Sequence, residues 1–470
     1  MPSQVIPRDR VQALNDREPA RRGRYVLYLM EQSHRAERNH ALEFAVMRAN
    51  QMKIPAVVVS PIWTSAPDMN ARHMRFLLEG LRDVEVALRR RKIPFRAVLG
   101  EPPEVAAEWA KGARSVVVDR GYLRHQRQIR TQIAESLTRP VEQVESDAIV
   151  PADVASDHLE YAARTIRPKL IALQESHCVD LKTRPLRADT EGLRLAKGVD
   201  LTKLDQMMRD MKLDWSVSPV DWWTQGGTNA ARRILDAFIE QDLQRYSKLR
   251  KQPEHDAVSH MGRYLHSGHI SPIYVALQIQ ASGVEDEIGP YLEELLVRRE
   301  LAINFVLNEP KYDRFDGLPN WAVETLEAHK RDERAPSYTM KQLEAAQTED
   351  PYWNAAMNEM KVTGYMHNYM RMYWGKKIIE WTPTPRQAFR RALQLNNKYF
   401  LDGRDPNSFA NVAWLFGRHD RPHAERPIYG KLRFMSRSGL ERKADGNAYL
   451  KKVRRLMEQA RQATDESGDD

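Results

Sequence analysis

Cysteine is nearly absent: Cys178 stands alone among 470 residues. One thiol cannot form an internal disulfide, so the fold must hold without one, as expected of a chain in the reducing cytoplasm. Long apolar runs are missing too. None approaches the ~18 residues that a membrane-crossing helix needs, so no membrane contact is expected. The opening, MPSQVIPRDRVQALNDREPARRGR, has no apolar h-region, and no secretory signal is expected. No Gly-x-Gly-x-x-Gly follows the first apolar run. The Gly-x-x-x-x-Gly-Lys-Ser/Thr, Gly-x-Ser-x-Gly, Cys-x-x-Cys and His-Glu-x-x-His motifs are absent as well. The 14 histidines are scattered without ligand spacing, so no metal is expected. Any chemistry on this chain therefore calls for a bound organic cofactor.

What is present is ordinary in bulk and uneven in distribution. Hydrophobic residues make up 42% and charged residues 29%, the balance of a soluble globular protein. A chain of this length exceeds what one core usually supports, so two domains are expected. The formal charge is +9 with a pI near 9.4, which favours a polyanionic partner. Between residues 386 and 455 stand 17 Lys and Arg against 6 Asp and Glu, so this segment carries +11 and the remainder −2. Basic charge concentrated in one segment points to a phosphate-binding face more than to a generally solvated surface.

Short apolar runs rich in β-branched residues occur at 25–30 (YVLYLM), 56–60 (AVVVS), 95–100 (FRAVLG) and 115–119 (SVVVD), the pattern of buried parallel strands. Helical patterns separate them at 38–51, 71–91 and 102–111. A further helix over 123–137 precedes a strand near 141–146. This alternation predicts a doubly wound, Rossmann-like parallel sheet. Beyond residue 215 strands vanish, and helical periodicity runs over 228–250, 291–307, 354–379 and 385–400. The expected layout is a disordered segment at 1–23, an α/β domain at 24–150, a proline-punctuated connection at 151–214, a larger all-α domain at 215–460 and a disordered acidic tail at 461–470.

Residues 363–381 read TGYMHNYMRMYWGKKIIEW. Seven residues make nearly two helical turns, so Arg371, Trp374, Ile378 and Trp381 share one stripe. A core stripe ordinarily carries leucine and valine. A buried guanidinium needs a paired charge, and Asp402 and Asp405 in FLDGRDPNSFANVAW are nearby carboxylates. An Arg–Asp pair can hold and polarise a planar aromatic ligand, and indoles beside it can pass single electrons. The bland alternative is an aromatic core helix with a surface arginine. VSHMGRYLHSGHISP (258–272) adds the small-residue start of a helix, where backbone N–H groups can receive phosphate.

TGYMHNYMRM, GRYLHSGHISP, EELLVRREL, LDGRDPNSFANVAW and GRHDRPHAERPIYGKLRFM, with the early MEQSHRAERNHALEFA, together resemble the photolyase/cryptochrome flavoproteins. Among these they are most similar to the class II cyclobutane pyrimidine dimer (CPD) photolyases. The resemblance spans residues 24–455. It implies non-covalent FAD in the helical domain and light-driven repair of CPD lesions in double-stranded DNA, by electron transfer from excited reduced FAD to a flipped-out dimer. A second, antenna chromophore, a deazaflavin or a folate, would sit in the α/β crevice. A monomer is expected.

By the same resemblance, Trp374 is the flavin-proximal member of a photoreduction chain completed by Trp353 and Trp381. Arg371 and Asp402 form the ion pair beside the isoalloxazine, Asn396 sits near flavin N5, and Asn368 and Met372 face flavin and lesion. Tyr246, Ser259, His260, Met261, Gly262, Tyr291 and Asp405 belong to the cofactor side, and Arg250 stands near cofactor and substrate. Glu294, with Glu293 one register away, contacts the dimer as a neutral carboxyl. Trp414 stacks on the extruded lesion, while Arg421 and Arg426 belong to the DNA face. Class II enzymes commonly read HDRPW where this chain reads HDRPH, so His423 replaces a tryptophan. Three other readings remain at this stage: a cryptochrome-like blue-light sensor, a nucleic-acid-binding protein without catalysis, and repair of the (6-4) photoproduct, which relies on active-site histidines.

Overall fold

The apolar runs of the first third fold into one sheet. In the computed structural model of the chain, which describes residues 6–467, the strands are β1 (Val11–Ala13), β2 (Tyr25–Leu29), β3 (Ala56–Ile62), β4 (Phe95–Leu99), β5 (Ala113–Asp119) and β6 (Val141–Val144). They lie in the order β1-β6-β5-β2-β3-β4, and every pair is parallel except β1 with β6. Helices α1 (His40–Met52) and α2 (Ala71–Arg90) pack on one face, α3 (Pro102–Ala110) and α4 (Arg124–Ser136) on the other. Burial on both faces explains why β2 and β3 read as unbroken apolar runs instead of alternating ones. Strand order reverses at β2, which opens a crevice at the strand ends there. Asp119 fixes its floor by accepting from the Tyr28 hydroxyl and from the N–H groups of Glu31, Gln32 and Ser33.

The disordered N-terminus expected at 1–23 is not what residues 6–23 do. Arg10 is buried and donates to the carbonyls of Glu145, Ala148 and Ile149. That anchor lays Val11–Ala13 on the open edge of β6. A three-residue strand is too short to announce itself by alternation. Residues 1–5 lie outside the described residues.

The rest is helical: α5 (Ala163–His177), α6 (Thr228–Gln241), α7 (Met261–His266), α8 (Arg299–Asn308), α9 (Pro351–Thr363), α10 (Asn368–Trp381), α11 (Pro385–Tyr399), α12 (Pro406–Leu415) and α13 (Gly446–Ser467), with shorter turns between them. The single helix expected over 354–379 is two. Gly364 ends α9 at φ +69°, and an added Cβ there would meet Leu401 Cγ at 2.8 Å. The helix expected over 228–250 stops at Gln241, and farther on Glu287 accepts from both the N–H and the hydroxyl of Ser247. The acidic tail, expected to be disordered from 461, continues α13 to Ser467. That helix packs on α9, with the Tyr449 hydroxyl donating to Glu359. Residues 468–470 lie outside the described residues. No helix among the described residues is long and apolar enough to cross a membrane.

The α/β half fixes the frame of the helical half. From α2, the buried Arg72 donates to the carbonyls of Met360, Lys361 and Tyr399, which close α9 and α11. Its neighbour His73 bonds the Phe400 carbonyl at 3.0 Å. Helix C-termini present unpaired carbonyls and partial negative charge, so a buried cation from a second domain is a natural clamp.

Candidate functional site

Helices α8, α10, α11 and α12 surround a cavity of about 230 Å³. Of the residues singled out in the sequence, Glu294, Asn368, Arg371, Met372, Trp374, Asn396 and Trp414 line it together. They come from four separate stretches of chain, and only the fold makes them neighbours. Residues that sequence reasoning did not single out complete the wall, chiefly Arg298, Phe400, Asn411 and His419.

Arg371 Nη2 reaches Asp402 Oδ1 and Oδ2 at 3.0 and 3.1 Å, so the expected ion pair forms. Its Nε donates to the Met366 carbonyl, and its guanidinium lies 3.9 Å from the Phe400 ring centroid. Gly262 makes room for this pair, since a Cβ there would stand 3.0 Å from Asp402 Oδ2. Asp405 has a different task from the one expected. It caps α12 by accepting from Asn407 N and faces His266 Nδ1 at 3.1 Å, away from the cavity wall.

Behind the cavity the three indoles of the expected chain are in contact. Trp374 and Trp353 lie parallel with centroids 6.5 Å apart, and Trp353 meets Trp381 edge-on at 5.6 Å. Trp353 Nε1 donates to the Trp374 carbonyl, which fixes the stack. All three are buried. Trp374 Nε1 has no hydrogen-bond partner among the described residues, and Trp374 lines the cavity.

Glu294 sits in a π-helical stretch, Glu293–Arg298, between Glu285–Leu292 and α8. Such stretches often mark functional sites, because the added residue re-aims side chains. Here Glu294 lines the cavity, while Glu293 turns away into a two-bond contact with Arg167. The neutral carboxyl expected of Glu294 is not what the geometry offers. Its side chain is 42% exposed and pairs with Arg250 at 2.8 Å, and Arg250 in turn lies against Tyr246. His419 is neutral at physiological pH. Burial pushes its imidazole down to about 4, against the bond from Nδ1 to the Tyr161 carbonyl. Since that carbonyl can only accept, Nδ1 carries the proton and Nε2 is an acceptor.

The remaining cofactor-side residues are not among those that line the cavity. The Tyr291 hydroxyl donates to Ser259 Oγ, Met261 is buried, and His260 bonds Asp256 at 3.1 Å. The residue missed here is Arg263, between the quoted Gly262 and Tyr264. It is buried against Trp223, and among the described residues its Nε and Nη1 have no partner. A buried guanidinium with two unused donors demands an acceptor. Together with the Trp374 Nε1 donor and with His260 Nδ1, an acceptor while Nε2 donates to Asp256, which are also unpartnered among the described residues, these groups fit the FAD that the motifs imply. The cavity has the size of a ring system, not of a whole dinucleotide.

Arg421, His423 and Arg426 lie on the loop after α12. Arg426 and Gly430 bridge it, His423 N donates to Lys431 O, and Arg433 passes 5.7 Å from the Trp414 ring. None of the three lines the cavity. At the strand ends of the α/β half a second cavity, about 150 Å³, is walled by Glu31, Trp63, His125, Arg130, His266 and Arg404 among others. Burial pushes Glu31 up to about 7 and Arg404 down to about 10.

Residues 26–187 match the profile of a family described as DNA photolyase. A deoxyribodipyrimidine photo-lyase of Methanothermobacter thermautotrophicus is 44% identical over 455 residues, 97% of this chain and 100% of that one. The protein of the same name from Arabidopsis thaliana is 35% identical, covering 92% and 89%. A class III photolyase from Agrobacterium tumefaciens superposes with a TM-score of 0.73 at 19% identity, over 92% of this chain and 87% of the other. The chain belongs to the photolyase/cryptochrome family.

Proposed function

We propose that the chain is a CPD photolyase of the class II kind, binding FAD in its helical half and taking a flipped pyrimidine dimer from double-stranded DNA into the cavity. The observation that supports this most is the junction at Trp374. Trp374, the end of a buried tryptophan path, lines one cavity together with Trp414 and with Glu294, the partner of Arg250. Reduced FAD, when bound, would supply light-driven one-electron chemistry to a cyclobutane ring.

The chain's own residues bind, orient and conduct. Trp381, Trp353 and Trp374 relay electrons one at a time from a reductant in solution toward the cavity. Arg371, pinned by Asp402, Met366 and Phe400, holds a fixed positive charge where negative charge gathers. Extruding a dimer from the duplex costs a few kcal/mol, and stacking on Trp414 returns ~1–3 kcal/mol. Glu294, held as the partner of Arg250, accepts from a pyrimidine N–H. Arg250 is then placed to donate to a pyrimidine carbonyl as it takes up charge. His419 is uncharged near neutral pH, and its one N–H, at Nδ1, is engaged by the Tyr161 carbonyl. The basic segment 386–455 grips the DNA backbone.

The α/β unit at 24–150 and the helical unit at 215–460 divide this work. The crevice walled by Trp63, His125 and Arg404 is the seat for an antenna chromophore, a deazaflavin or a folate, which would extend beyond its 150 Å³. The test is an absorption spectrum of the purified monomer, followed by illumination with a duplex carrying one defined thymine dimer. Flavin bands and light-dependent loss of the dimer are expected. Protein without flavin would overturn the reading, and flavin photoreduction without repair would convert it to a light sensor.

A further inference from the structure

Helix α10 turns a lysine inward. Lys376 is 1% exposed, and its Nζ donates to the Leu415 carbonyl at 2.5 Å. That carbonyl ends α12, the helix that presents Trp414. The two preceding carbonyls are already used: Ala413 O accepts from Phe416 N and Arg418 N, and Trp414 O accepts from Gly417 N. Lys376 therefore completes the helix terminus, where a cation is favoured. Its Nζ also lies 5.8 Å from the Trp414 ring centroid, within reach of a cation–π contact. Two features hold the lysine in place. Gly375 lets α12 approach so closely that a Cβ would meet Leu415 Cδ1 at 2.2 Å. The Tyr429 hydroxyl donates to the Lys376 carbonyl.

We propose that Lys376 is a positioning residue for the lesion pocket, holding Trp414 from behind in the orientation that stacks on the dimer. This rests on the reading of Trp414 as the stacking partner. The hold depends on charge. A neutral amine keeps one hydrogen bond but loses the charge-assisted bond and the attraction to the indole. Burial pushes the ammonium down to about 7, against the pull of Asp420, with Arg433 acting in the same sense as burial. The facing groups are few. Asp420 and Arg433, paired with each other, come from the loop after α12. His423 stands on that loop 3.6 Å from Asp420. Lys377, Glu380 and the Tyr429 hydroxyl complete the set, while α12 contributes Trp414 and the Leu415 carbonyl.

The test is a double-mutant cycle on dimer affinity, measured as the ratio of binding to damaged and undamaged duplex with flavin content and Tm recorded alongside. Lys376→Met is expected to lower the ratio roughly tenfold, the equivalent of ~1.4 kcal/mol. In a Trp414→Ala background the same change is expected to cost nothing further. Equal losses in both backgrounds, or no loss from Lys376→Met, would overturn the proposal. Intact affinity in Trp414→Ala alone would overturn the reading of Trp414 and the proposal with it. A second arm needs no lysine variant. The wild-type ratio should fall between pH 6.5 and 8.5, flatten in Trp414→Ala and persist in His423→Gln; a slope unchanged by Trp414→Ala refutes the proposal.

Discussion

Replacing Asp402 by Asn changes little in shape and removes the charge that Arg371 faces. The attraction lost can be sized from the geometry. With Nη2 at 3.0 and 3.1 Å from the two oxygens, the charge centres lie ~4 Å apart, and at an effective dielectric of ~20 this is worth ~4 kcal/mol. Both side chains touch water, at 16% and 24% exposure, so screening cuts the net loss to ~2 kcal/mol. Arg371 itself stays put, because Met366 O and the Phe400 ring hold it independently. The variant therefore keeps a cation without its partner. At ~1 °C per kcal/mol for a chain of 470 residues, melting of flavin-free protein should fall by ~2 °C. The informative comparison is the double variant Arg371→Met/Asp402→Asn, which removes the stranded cation and should melt above Asp402→Asn alone. A coupling of ~2 kcal/mol is expected from the cycle of melting and urea curves. If the double variant simply sums the two single losses, the pair is a surface contact and the argument fails.

Trp374→Phe should retain FAD yet lose most light-driven flavin reduction, while chemically pre-reduced enzyme still repairs; transient absorption distinguishes these, and normal photoreduction would remove the tryptophan path. Glu294→Ala strands Arg250 and should lower the yield of dimer splitting more than dimer affinity, whereas Glu293→Ala, which breaks the contacts with Arg167 and Arg298, should keep most of its repair. If the basic segment meets about four to six phosphates, log K should fall with log salt at a slope of roughly −4 to −5, and a flat response would take that segment off the DNA. Glu300 is buried beneath the N–H groups of Ile149 and Val150, and burial raises its carboxyl to about 8. An acid whose folded value lies above its unfolded ~4.5 favours the protonated state, so stability should fall as pH rises from ~5 to ~8, by at most ~4 kcal/mol from this group. Glu300→Gln should flatten that slope in urea midpoints, and an unchanged slope would discard the assignment.

The sheet was legible because parallel strands covered on both faces cannot alternate, so β2, β3 and β5 announce themselves as β-branched runs. The site was legible only in part, and Lys376 and Lys377 show why. They are adjacent and chemically identical in WGKKIIEW, yet one is sealed beneath Trp414 and the other pairs with Glu380 beside Trp381. About 100° of helix rotation separates them. Periodicity can say that Arg371, Trp374, Ile378 and Trp381 share a stripe, but not what lies across from the next stripe. Here it is the end of α12, brought close by Gly375. The same limit hid Arg10, whose acceptors stand at least 135 residues away, and Arg263, whose unused donors become visible only once Trp223 covers them. Gly364 is the opposite case. Its left-handed C-cap was written in TGYMHN, and an aromatic periodicity running across it concealed the break. In each instance the undecided quantity was the partner of a polar group. A buried cation is held by specific acceptors from distant chain, and those acceptors, not the local pattern, set which way it turns.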